Sequence, residues 1–126
     1  MRAIVIDDSR AMRAILRQAL IPRGFEVIEA ANGKEALTRL ASAGPVDLAL
    51  VDWNMPEMNG YEFVKAIRLD GTRADMRIMM VTTETEISQM VKALEAGANE
   101  YVMKPFTADV ITEKLALLGI DCAEAA

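Results

Sequence analysis

Histidine is missing from this chain altogether, and cysteine occurs once, at Cys122 near the end. Without histidine there is no Ser-His-Asp triad, no histidine-ligated zinc and no imidazole general base. A single cysteine can build neither a disulfide framework nor a thiolate metal cluster. An excess of basic charge is lacking too: 14 Lys and Arg stand against 19 Asp and Glu, a net charge of -5. That balance argues against nucleic acid as the main partner, because phosphate-backbone binding wants a concentrated basic surface. No apolar run reaches the roughly 18 residues of a membrane span. No long apolar stretch follows a basic N-terminal segment, as it would in a signal peptide. These absences predict a cytoplasmic protein with no membrane partner, working through carboxylates, hydroxyls, lysine and backbone.

What is present fits one domain. The chain has 126 residues, 52% of them apolar, enough for a single hydrophobic core. Residues 1–120 are expected to form that domain, and residues 121–126 a short C-terminal tail. Short apolar runs alternate with amphipathic stretches. Strands are predicted over Ala3–Ile6, Phe25–Glu29, Leu48–Val51, Arg77–Val81 and Glu100–Met103. Between them lie stretches of helical spacing. The first is capped by Ser9 and carries Met12, Ile15, Leu16, Ala19 and Leu20 before Pro22 and Gly24. The second carries Ala36, Leu37, Leu40 and Ala41 and stops at Gly44-Pro45. The third carries Phe63, Val64 and Ile67; the fourth Ile87, Met90, Val91 and Leu94; the last runs from about Thr107 to Leu118. Strict alternation of five strands and five helices implies right-handed crossovers, hence a doubly wound parallel sheet covered on both faces.

In such a sheet ligands bind at the carboxyl ends of the strands. Asp7, Asp8, Asp52, Thr82 and Lys104 all fall at or just past such ends. Each alone has a plainer reading as a cap or turn residue. Their convergence under one fold is what favours chemistry. Close carboxylates repel and would take up protons in a dry site. Magnesium removes the conflict, since it prefers oxygen ligands and keeps several waters while meeting phosphate oxygens. A carboxylate can also be a nucleophile and form an aspartyl-phosphate. Asp52 is the best candidate, standing alone at the end of the third, central strand. Thr82 can donate its hydroxyl to a phosphoryl oxygen, and Lys104, held extended by Pro105, can offset the phosphoryl charge. The Asn54 carbonyl lies near enough in sequence to complete a metal shell.

These residues closely resemble the receiver domain of two-component response regulators over essentially the whole chain. The pieces are Ile4-Val5-Ile6-Asp7-Asp8-Ser9, Val51-Asp52-Trp53-Asn54-Met55-Pro56-Glu57-Met58-Asn59-Gly60, Met80-Val81-Thr82-Thr83-Glu84 and Tyr101-Val102-Met103-Lys104-Pro105-Phe106. The resemblance implies a flavodoxin-like sheet of order 2-1-3-4-5. It implies that Asp52 accepts a phosphoryl group from a phosphohistidine on a histidine kinase or histidine phosphotransfer protein. Asp8, Asp52 and the Asn54 carbonyl would ligate one Mg2+ directly and Asp7 through water. Thr82 and Lys104 would contact the phosphoryl group, and Tyr101 would turn inward as Thr82 shifts. Such a domain is a phosphoacceptor with magnesium-dependent self-phosphorylation and self-dephosphorylation, not a turnover enzyme.

Asp52-Trp53-Asn54 is similar to chemotaxis regulators that act on the flagellar motor, and Asn54 and Glu84 match their positions that tune dephosphorylation. Thr83 departs from them, standing where they have a smaller alanine; its bulk is expected to hinder the inward position of Tyr101. A phosphorelay shuttle and a receiver cut from a DNA-binding regulator share this chemistry. A metal-dependent acyl-phosphate-type phosphatase would want an acid where Asn54 stands, and a cap domain.

Overall fold

Strands form where apolar residues run without a break. In the computed structural model, which describes residues 1–71, 73–83 and 89–120, β1 (Arg2–Ile6), β3 (Leu48–Asp52) and β4 (Arg77–Thr82) are almost wholly buried. β2 (Glu26–Ala30) and β5 (Glu100–Met103) mix in charged and half-exposed residues, as suits the two sheet edges. Every pairing is parallel and the order is β2-β1-β3-β4-β5, the order the resemblance implied.

The crossovers are α1 (Arg10–Leu20), α2 (Gly33–Ala43), α3 (Gly60–Asp70) and α4 (Met90–Ala96), and α5 (Ala108–Leu117) follows the last strand. Alternation along each strand divides the core in two. Ile4, Ile6, Ala49, Val51, Ile78 and Met80 pack with Ala36, Leu40, Phe63, Ile67 and Ala93 of α2, α3 and α4. Ala3, Val5, Leu48, Leu50, Met79 and Val81 pack with Leu16, Leu20, Ile111 and Leu115 of α1 and α5. Side chains close the helix starts. Ser9, Asn32, Asn59 and Thr107 each accept a hydrogen bond from the amide three residues on, and Asn59 and Glu62 form a reciprocal capping box.

Several expectations shift in detail. β2 begins one residue later than predicted and takes in Ala30, while β4 extends to Thr82. Leu118 caps α5 rather than continuing it, yet is buried. Ile15, Ala41, Val91 and Leu94, apolar residues at helical spacing, are exposed. A helix lying on a sheet buries a narrow stripe; Ile15 sits about 100° around α1 from Leu16 and so leaves it. Ile87, Glu84 and residues 121–126 lie outside the described residues.

Candidate functional site

Among the described residues the buried polar side chains are Asp7, Asp52 and Thr82. All three stand where β1, β3 and β4 reach their carboxyl ends. Burial of polar groups costs free energy unless they are hydrogen-bonded or paired, so their gathering in one place marks a site.

Local sequence explains each placement. Asp7 continues β1: its amide donates to the Ala30 carbonyl at 3.1 Å, and its Oδ1 accepts from the Ser9 amide at 2.8 Å. Asp8 follows and is exposed at the rim. Asp52 ends β3, and the chain returns over it through Gly60, whose amide donates to the Trp53 carbonyl at 2.9 Å. Any Cβ at Gly60 would lie 2.4 Å from the Asp52 carbonyl oxygen, so only glycine fits there. Lys104 is carried to the same edge by its amide, which donates to the Thr82 carbonyl at 2.7 Å. The peptide between Lys104 and Pro105 is cis.

The side chains converge. Lys104 Nζ lies 3.0 Å from Asp52 Oδ1 and 3.7 Å from Asp7 Oδ2. Asp7, Asp8 and Asp52 each offer an oxygen, all within 4.8 Å of one another. Burial pushes the Asp52 carboxyl up to about 6, against the hydrogen bond from Lys104 and with help from the Asp7 charge. Burial likewise raises Asp7, opposed by the Ser9 amide and by Lys104. Asp7 Oδ2 is buried and has no hydrogen-bond partner among the described residues. A buried oxygen without a donor, flanked by two further carboxylates, fits a hard divalent cation. These three carboxylates form a group that could hold a metal ion.

The other predicted residues stand around this cluster. Thr82 is fully buried, with Oγ1 donating to the Thr83 carbonyl at 3.2 Å. Asn54 is exposed in the loop after β3. Tyr101, on β5, is half-buried, and Lys114 Nζ lies 4.8 Å from its ring centroid. Glu84 is not among the described residues. Two neighbours have contacts that the sequence did not announce. Trp53 is buried and stacks on Tyr61 at 5.9 Å between centroids. Arg13 donates from Nη1 to the Asp7 carbonyl at 2.6 Å. Its position four residues after the cap Ser9 was the available signal, because that spacing places it on the helix face above the cap. A groove of about 580 Å³ between α2 and α3, lined by Leu37, Leu40, Ala66 and Ile67, shares no residue with the cluster.

The family model described as the response regulator receiver domain matches residues 3–116. The chain belongs to the response regulator receiver domain family. A chemotaxis protein CheY homolog of Campylobacter jejuni is 44% identical, over 100% of this chain and 98% of its own. Chemotaxis protein CheY1 of Helicobacter pylori is 43% identical, over 91% of this chain and 94% of its own. Among solved structures, chemotaxis protein CheY4 of Vibrio cholerae superposes with a TM-score of 0.83 at 33% identity, covering 95% of this chain and 98% of that one. Receiver domains are signalling phosphoacceptors of two-component systems. No helix among the described residues is long and apolar enough to cross a membrane.

Proposed function

We propose that Asp52 is the phosphoacceptor of a chemotaxis-type response regulator whose receiver unit is residues 1–120. The observation that carries this reading is the Asp52 carboxylate at the end of β3, 3.0 Å from Lys104 Nζ and grouped with Asp7 and Asp8. An oxygen of Asp52 forms a bond to phosphorus as the phosphorus–nitrogen bond of a phosphohistidine breaks. The electron pair leaves on the donor imidazole, which takes up a proton. The donor belongs to a histidine kinase or a histidine phosphotransfer protein; a small acyl phosphate can stand in for it. Return to the free carboxylate is by attack of water on phosphorus, with Asn54 and Glu84 governing its approach.

Asp7, Asp8, Asp52 and the Asn54 carbonyl would hold one Mg2+. When bound, the ion neutralises charge on the phosphoryl oxygens and lets the carboxylates stay ionised side by side. Lys104 then shifts from the Asp52 carboxylate to a phosphoryl oxygen, and Thr82 turns its hydroxyl from the Thr83 carbonyl toward another. Thr82 and Tyr101 form the switch. As Thr82 shifts toward the phosphoryl group the Tyr101 ring turns inward, and the bulk of Thr83 hinders that position. The altered surface meets a target such as a flagellar motor switch component in the cytoplasm, a choice supported by the chemotaxis relatives.

Asp52→Ala incubated with a labelled phosphohistidine kinase should take up no label, while the parent chain takes up one equivalent; full labelling of the variant would remove Asp52 from this role. Capture of a flagellar switch protein only with a phosphoryl mimic and magnesium supports the motor target. Capture of a histidine phosphotransfer protein with or without the mimic points instead to a relay.

A further inference from the structure

We propose that Arg13 is a positioning residue for the divalent-cation site, acting through the backbone of Asp7. The inference rests on the metal reading above and adds a residue to it. Arg13 lies on α1 and its amide donates to the Ser9 carbonyl at 3.0 Å, so it belongs to the first turn over the acid-bearing loop. From there the guanidinium reaches back in two directions. Nη1 donates to the Asp7 carbonyl at 2.6 Å, and Nε donates to Glu29 Oε1 at 3.1 Å. Glu29 is on β2, and its other oxygen accepts from Arg17 Nη1 at 3.2 Å. The Arg13 side chain is 16% exposed, so these contacts are largely shielded from water.

The result is a brace between β2, α1 and the turn that carries both Asp7 and Asp8. The Asp7 amide is already fixed to the Ala30 carbonyl, and Ser9 fixes Asp7 Oδ1. Arg13 supplies the remaining constraint, on the Asp7 carbonyl. That carbonyl belongs to the peptide joining Asp7 to Asp8, so holding it fixes the plane from which the Asp8 residue departs. Groups behind metal ligands matter because they orient the ligands rather than touch the ion.

Charge alone predicts the opposite of positioning. A guanidinium beside the site repels a cation, so removing it should tighten metal binding. Positioning predicts that removing it weakens binding. The sign of the change therefore separates the two.

The experiment is a magnesium chloride titration of the intact chain, followed by the backbone amide signals of Asp8 and Asn54 in the parent, Arg13→Met and Arg13→Lys. Circular dichroism confirms that each variant is folded under the titration conditions; binding to folded protein is then not altered by a lower stability alone. Weakening by roughly 10-fold or more in Arg13→Met, and lesser weakening in Arg13→Lys, supports the proposal. Arg13→Lys keeps the charge but loses the fork that joins Glu29 to the Asp7 carbonyl, and carries the test if Arg13→Met does not fold. Equal or tighter binding in either folded variant overturns the proposal. A parent chain that takes up no magnesium overturns the metal reading itself, a result distinct from a change confined to the variants.

Discussion

The two ends of the sheet treat charge in opposite ways. At the amino end, cations are spent on backbone carbonyls. Arg68 donates to the carbonyls of Gly97, Arg73, Ala74 and Met76 and to Asn99 Oδ1. Arg73 donates to the Gly44 and Leu40 carbonyls, Arg2 to Ala43, and Arg77 to Leu118. These arginines tie loops to strands and close that end. At the carboxyl end, acids are gathered around Lys104, and a buried oxygen of Asp7 has no hydrogen-bond donor among the described residues, Lys104 Nζ standing 3.7 Å away. One end thus contributes stability, while the other gives some up to hold several acids close together.

The largest effect is expected at the amino end. Arg68→Ala should lower the unfolding free energy by about 3 kcal/mol or more, because several partly buried carbonyls lose a charged donor. Urea unfolding measures this, and magnesium uptake by the folded variant should stay as it was. A loss of metal binding there would mean the two ends are not separate.

Gly60→Ala probes the join between scaffold and site. The new methyl would press on the Asp52 backbone and on Met80 Cε, costing about 2–3 kcal/mol and displacing Asp52. Unlike Arg68→Ala, it should impair both stability and phosphoryl uptake.

Asp52→Asn should act in the other direction. Burial raises the Asp52 carboxyl to about 6 from 3.8, so the folded chain holds that proton more tightly than the unfolded one. Its stabilising effect is present at low pH and is lost as pH rises through 3.8 toward about 6. Metal-free Asp52→Asn should therefore be about 1–2 kcal/mol more stable than the parent at pH 7, with some gain offset by the lost Lys104 ion pair. The advantage should vanish below pH 4, and magnesium should narrow it at pH 7. Denaturant melts across this range, with and without magnesium, provide the check. Equal stability at pH 7 would mean the acids are not held at a cost.

Leu69→Ser sets the baseline. Leu69 is 90% exposed, and its replacement should move stability by less than about 0.5 kcal/mol and leave both ends unchanged.

Much of this was legible in the chain itself. Leu48–Val51 and Ile78–Val81 read as buried strands because apolar residues run unbroken, and both are buried on both faces. The acids were legible because each follows such a run, and the fold brings Asp7, Asp8 and Asp52 together. What stayed hidden depends on distance in space. The arginine ties of the amino end join residues as far apart as Arg77 and Leu118, and no periodicity announces them. The need for glycine at position 60 comes from the Asp52 carbonyl passing overhead. Val91 and Leu94 lie on α4 as their spacing implied, but their exposure was not legible, because an apolar residue at helical spacing can still fall outside the stripe that a sheet covers.

The chain has one tryptophan, Trp53, a single peptide bond beyond Asp52 and sheltered from water. The molecule thus carries a native fluorophore at its most informative position. Its emission should report events at the acid cluster without any dye, giving a direct optical trace of binding and release in real time.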